Sequence, residues 1–189
     1  QGQYTINEGR VLNLFQGLRT DMESLSLASY FAQVSEVLSQ EDYPTPELQS
    51  LLLNCLYALS DLKLDGTQVK AVFELRAACI SGYTPDLYGC HVCGSQEPTR
   101  FDLSSGLLEC ASCRDASSSG IRLPVSVPML EAMRFICFCD PKKIFSFRLD
   151  GGEMKKLSGL TESFLSTQLE RGFPALDFYK SLFLQSNAT

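Results

Sequence analysis

A single histidine, His91, occurs among the 189 residues, and that scarcity removes much catalytic chemistry at the outset. A Ser/His/Asp arrangement needs a histidine that can move protons, and the only one here sits between two cysteines in Cys90-His91-Val92-Cys93. A zinc deaminase needs a His-x-Glu that supplies a metal ligand and a proton shuttle, but Cys93 stands where that glutamate would be. No Gly-rich phosphate loop of the Walker type is present. Basic charge is short as well: 16 Lys and Arg face 22 Asp and Glu, for a net charge of -6. That is not the footprint of a self-sufficient nucleic-acid binder. The deficit lies in residues 1–89, with 11 acidic and 5 basic side chains, whereas residues 90–189 carry 11 of each. Long apolar runs are missing too. The longest apolar cluster, Leu51 to Leu59, is broken by Asn54, well short of the roughly 18 residues a membrane helix requires. No basic segment precedes an apolar one at the N-terminus, so no signal peptide is expected. There are no internal repeats.

What is present is cysteine. Cys90 and Cys93 form one pair, Cys110 and Cys113 another, and 16 residues separate them. This C-x2-C-x16-C-x2-C spacing is that of a four-thiolate zinc site. Each pair can grip one side of a tetrahedral ion, and the intervening stretch is long enough for a small hairpin. Four thiolates leave no position for water or substrate, so the zinc is expected to be structural. With four thiolates the ion leaves a local charge of about −2. Gly94, directly after the second ligand, suits the backbone angles of such a turn. His91 is expected to be exposed and not a ligand, and Phe101 to pack the hairpin. The other cysteines, Cys55, Cys79, Cys137 and Cys139, lie in apolar helix-like segments, where free cysteine behaves as a small hydrophobe. That division suits a reducing cytosol rather than a disulfide framework.

Hydrophobic residues make up 44% of the chain, enough for a core. The expected fold is mainly α, a helical bundle interrupted once by the four-cysteine module. Asn7 is positioned to cap a short helix ending near Gly17, and Thr20 or Asp21 to start a longer one through Leu38. Thr45-Pro46 marks a third start. That helix carries Leu48, Leu51, Leu52, Cys55, Leu56 and Leu59, and with Leu53 and Tyr57 it is apolar nearly all round, so it is expected to be central. Further helices are expected over 67–81, from Pro128, and over 153–171, with Gly151-Gly152 as a break and Phe173 to Leu184 as a short apolar tail. Ser117-Ser118-Ser119-Gly120 reads as a polar loop. Met22, Met129, Met133 and Met154 are expected in the core.

Phe73-Glu74-Leu75-Arg76-Ala77-Ala78, Gly82-Tyr83-Thr84-Pro85-Asp86-Leu87 and Cys90-His91-Val92-Cys93-Gly94 together resemble the bacterial RecO family of DNA repair proteins. Tyr4 to Leu18 is similar to that family's crossover into its helices, and Phe178-Tyr179-Lys180-Ser181-Leu182 to its closing segment. The resemblance implies an N-terminal OB-fold followed by a helical domain with a zinc finger. On that pattern residues 1–7 are expected to be the remnant of the OB-fold. Residues 8–88 and 117–189 form two parts of the helical domain around a zinc module at 89–116. It also implies a cytoplasmic, nucleoid-associated recombination mediator, not an enzyme. Such a mediator anneals strands and helps load a recombinase. Its implied partners are single- and double-stranded DNA, bound mainly through the OB-fold, RecR, and the acidic C-terminal tail of the single-stranded DNA-binding protein. The alternatives are a zinc-ribbon interaction module of an unrelated helical protein and a zinc-dependent enzyme.

Candidate binding residues follow. A receptor for an acidic, apolar tail needs an apolar groove flanked by Lys or Arg, and Lys70 and Arg76 on the motif helix are the candidates. The competing role for Arg76 is a structural ion pair with a neighbouring helix. Arg100, Arg114 and Arg122 around the module, with Lys142 and Lys143 further on, are candidates for phosphate contact, set against ordinary solvated charge.

Overall fold

The computed structural model describes residues 5, 7–39, 43–113 and 120–186, with side chains described to Leu182. Seven helices, α1 (Gln16–Arg19), α2 (Met22–Leu38), α3 (Pro46–Ser60), α4 (Gly66–Ile80), α5 (Val127–Phe138), α6 (Gly151–Leu169) and α7 (Pro174–Ser186), surround one core, and a three-stranded sheet is inserted between α4 and α5. The helix starts follow from local chemistry. Asp21 accepts from the backbone N–H of Glu23 and Ser24 at the head of α2, Asp65 from Gln68 at α4, Ser126 from Met129 at α5, and Asp150 from Gly152 and Glu153 at α6. Each bond satisfies an amide that the first turn leaves unpaired. Thr45 makes no side-chain cap bond, and Pro46 alone marks the start of α3.

The central helix is α4, not α3. Residues 68–75 of α4 are all buried, together with Ala77 and Ala78, because α2, α3, α5 and α6 pack around it. Leu53 and Tyr57 of α3 instead remain 45% and 46% exposed. Phe73 of α4 stacks on Phe31 of α2 at 4.2 Å, and Tyr30 meets the edge of Phe173, just ahead of α7, at 5.5 Å. Such pairs add about 0.5–1.5 kcal/mol each beyond their buried area.

Several expected boundaries move. Residues 7–15 are not helical. Asn13 accepts the Phe15 N–H at 2.8 Å, Phe15 takes a left-handed φ of 45°, and the side chain thereby competes with helix formation. Val11, Leu12 and Leu14 stay exposed. Gly151 and Gly152 begin α6 rather than break it, held by the Asp150 cap, and the stretch after Phe173 is a helix. Met22 is exposed at the rim of α2, whereas Met129, Met133 and Met154 are buried. The segment Ser117 to Ser119 and most of residues 1–6 lie outside the described residues.

Helix α1 is pressed against the end of α3. Gly17 donates to Ser60 Oγ at 3.2 Å, and a Cβ at Gly17 would meet the Ser60 carbonyl oxygen at 2.1 Å. Gly17→Ala is therefore expected to lower stability by about 1–3 kcal/mol. Chemical denaturation would show it, and an unchanged midpoint would mean that α1 does not dock there.

Candidate metal centre

The first cysteine pair sits in a tight turn closed by the chain itself. Gly94 N–H donates to the Cys90 carbonyl at 2.8 Å, and Cys90 N–H to Ser95 O at 2.8 Å. Gly94 adopts a φ of 72°, which a side chain disfavours. The second pair follows directly from strand β2 (Leu108–Glu109), which pairs antiparallel with β1 (Arg100–Asp102). His91 N–H donates to Leu108 O at 2.9 Å, and this bond pins the first turn beside Cys110. A third strand, β3 (Arg122–Pro124), pairs with the other edge of β1. The expected hairpin is thus one half of a three-stranded sheet whose last strand lies beyond the second cysteine pair.

The sheet is seated on the bundle. Phe101 is fully buried, lying opposite Leu108 and Leu123, and its ring meets Phe164 of α6 edge-on at 5.2 Å. Gln168 donates to the carbonyls of Leu103 and Ser104 at 2.7 and 3.2 Å. Arg134 of α5 donates to Leu87 O at 2.8 Å from the other side. Asp102 and Glu109 hold Arg122 between them, at 3.4 and 2.7 Å.

In this frame the sulfurs of Cys90, Cys93, Cys110 and Cys113 lie within 4.8 Å of one another and can hold a metal ion. Cys90 and Cys110 are buried, Cys113 is half-buried and Cys93 is exposed. The surroundings favour thiolate. Ser112, through its hydroxyl at 3.1 Å, and Cys113 bring Cys110 down to about 6. Burial raises Cys90, but backbone N–H groups of Cys93, Cys110 and Val92 outweigh it and the net shift is downward. Cys113 is pushed up to about 12 by sharing protons with Cys93 and Cys110. Those hydrogen bonds favour the protonated form of Cys113, and binding a divalent cation would displace that proton. His91 is exposed with its Nδ1 at 3.1 Å from Leu108 O, outside the sulfur cluster.

The remaining candidates divide. Lys70 does not reach a surface. It is 3% exposed and bonded to Glu74 at 2.9 Å and Glu162 at 2.8 Å, because α4 is wrapped on every side. Arg122 is likewise committed to Asp102 and Glu109, inside the sheet's own ion pairs. Arg100 is half-buried in β1, Lys142 and Lys143 are exposed in the turn after α5, and Arg114 lies outside the described residues. Among the described residues Arg76 forms no helix-to-helix ion pair. Its Nη1 donates to the carbonyls of Ile136, at 3.1 Å, and Cys137 at the C-terminal end of α5. It also lines a groove of about 530 Å³ between α3, α4 and α5, with Leu51, Ile80, Phe138 and Ile144. The groove gives no linear signal, since its walls come from segments far apart in the chain.

Residues 19–177 match the family model described as Recombination protein O C terminal. The chain is 29% identical over 185 residues to DNA repair protein RecO of Acetivibrio thermocellus, covering 95% of this chain and 71% of that protein. It is 24% identical over 183 residues to DNA repair protein RecO of Thermoanaerobacter sp., covering 96% and 73%. A third relative, DNA repair protein RecO of Desulforudis audaxviator, is 26% identical over 184 residues. A helical bundle carrying a four-cysteine sheet, matched by that model along most of its length, belongs to the RecO C-terminal family and has a RecO-like role in DNA repair.

Proposed function

We propose that this chain is the partner-docking portion of a recombination mediator, a binding and scaffolding role rather than an enzymatic one. The helical parts, 8–88 and 117–189, supply the docking faces. The module at 89–116 holds a structural zinc ion through Cys90, Cys93, Cys110 and Cys113. DNA is contacted mainly by the OB-fold that the family resemblance implies, with Arg100, Arg114, Lys142 and Lys143 as auxiliary phosphate contacts and RecR as a protein partner.

The groove carries this reading. The acidic, apolar tail of a single-stranded DNA-binding protein needs an apolar trough with a cation in it, and the groove combines Leu51, Ile80, Phe138 and Ile144 with Arg76. The guanidinium presents several N–H donors in a planar fork suited to a carboxylate. A charge-assisted bond of this kind is worth about 1.5–3 kcal/mol. Arg76→Ala is therefore expected to weaken binding of a synthetic tail peptide roughly 10- to 100-fold in fluorescence anisotropy, with Arg76→Lys intermediate. Circular dichroism would check that the bundle persists. Equal affinity for wild type and a folded Arg76→Ala protein would sink the assignment of Arg76, and no binding by wild type would sink the groove as the tail site.

A further inference from the structure

Two thiols outside the metal site face one another across the bundle. Cys79 lies in the last turn of α4 and Cys137 in the last turn of α5, 58 residues apart in sequence, with their sulfurs 3.5 Å apart. Both line the groove that Arg76 enters. Cys79 is half-buried and Cys137 is 7% exposed. The pair therefore joins a less buried cysteine to a more buried one already in contact with it. We infer that Cys79 and Cys137 form a reversible oxidation site, at which a hydroperoxide converts the two thiols to a disulfide joining α4 to α5.

The chemistry closes with the peroxide as the sole added reactant. The Cys79 thiolate attacks the terminal oxygen of the hydroperoxide, the O–O bond breaks, and Cys79 becomes a sulfenic acid while the alkoxide or hydroxide departs and takes up the proton that Cys79 lost on ionising. Cys137 sulfur then attacks the Cys79 sulfur, the S–O bond breaks, and the hydroxyl leaves as water with the Cys137 proton. Two thiols are oxidised by two electrons and one peroxide is reduced. Closing the bond brings the sulfurs from 3.5 Å to about 2.05 Å.

The electrostatics assign the two roles. The sulfur–sulfur contact with Cys137 lowers Cys79 more than burial raises it, and Thr84 and the Arg76 charge add to the lowering. The same contact and burial hold Cys137 far above its ordinary value. Cys79 is then the thiolate that reacts first and Cys137 the partner that resolves it. Cys55 shows the contrast: it is fully buried in the core and burial alone pushes its thiol up.

Because the pair lies in the groove wall, the disulfide also draws the end of α5, where Arg76 holds the Ile136 and Cys137 carbonyls, towards α4. The consequence for tail binding rests on the docking reading above; the oxidation itself does not.

The test uses the full chain loaded with zinc, treated with hydrogen peroxide, blocked with N-ethylmaleimide and mapped by mass spectrometry without reductant. A cross-linked peptide containing Cys79 and Cys137 should appear, with two alkylatable thiols lost per chain and restored by dithiothreitol. Cys79→Ser should abolish it. Cys137→Ser, or Cys137→Ala if the serine protein does not fold, should leave Cys79 as a sulfenic acid trapped by dimedone. Cross-links confined to Cys90, Cys93, Cys110 and Cys113, a Cys79–Cys139 bond, or full alkylation of Cys79 after peroxide would each overturn the inference. Tail-peptide affinity, measured on reduced and oxidised protein, reads the coupling separately. If reduced protein binds no peptide, the docking reading fails and the mapping still decides the thiol pair.

Discussion

Lys70→Met should cost about 3–5 kcal/mol of folding stability, because it strips the cation from a buried network and leaves the anions behind. Lys70 Nζ contacts Glu74 at 2.9 Å and Glu162 at 2.8 Å. Glu74 is wholly buried and also accepts hydrogen bonds from Tyr30 Oη at 2.9 Å and Thr161 Oγ1 at 2.8 Å, so α2, α4 and α6 all meet on one carboxylate. Burial pushes the Glu74 carboxyl up, with Lys70 opposing. Burial pulls Lys70 down, but Glu74 and Glu162 more than compensate and hold it above its ordinary value. Glu162, which burial alone would raise, is kept low by Lys70 and Lys180. Thermal unfolding followed by circular dichroism should show a fall of roughly 6–20 °C for a chain of this size. The double variant Lys70→Met/Glu74→Gln keeps an acceptor for Tyr30 and removes the unpaired charge, so it should recover much of the loss. A Lys70→Met protein within about 1 kcal/mol of wild type would show that the charge is hydrated in place and not sealed in the core.

That network marks the boundary of what could be read along the chain. Cys90, Cys93, Cys110 and Cys113 announce themselves because metal ligands in a turn must recur at short fixed spacing, and they do converge. The helix start at Asp21 was legible for the same reason, since a cap acts over three residues, and the one at Pro46 because proline suits the first helical position. Lys70 reads along the chain as a cation flanking a binding groove, and its burial is not visible there because the fate of a lysine depends on what covers its helix. Its partner Glu162 is 92 residues away in the chain. Arg122 failed likewise, since β3 pairs with β1 across the second cysteine pair and carries the arginine into the sheet's own carboxylates. Cys79 and Cys137 looked like ordinary apolar cysteines, and only the packing of α4 against α5 brings them together. Segment 7–15 had the apolar residues of a helix, but the Asn13 side chain bonds the Phe15 N–H and Val11, Leu12 and Leu14 stay exposed.

Removing one of the four proposed metal ligands should uncouple the stability of the cysteine turns from that of the helices. Cys110→Ser replaces the thiolate nearest the junction, the one that follows β2 and bonds Ser112. Zinc content measured by mass spectrometry should fall from one per chain towards zero after dialysis against a weak chelator, since structural zinc sites bind with about 10–16 kcal/mol and a missing thiolate removes a large part of it. The sheet itself offers little else to sustain the cysteine turns. Its strands are two or three residues long, and its turns are closed by bonds such as Gly94 N–H to Cys90 O that only shape the cysteine loop. Hydrogen exchange should therefore accelerate over residues 88–113. The helices have their own core around α4, so far-UV circular dichroism should keep most of its helical signal. Phe101 against Phe164 and the Gln168 bonds to Leu103 and Ser104 tether the base of the sheet, so its protection should decay least there and most at the cysteine turns. Unchanged zinc affinity in Cys110→Ser would show that the ligand set is wrong. Collapse of the helical signal along with the sheet would show instead that the module is a keystone of the bundle rather than an insert resting on it.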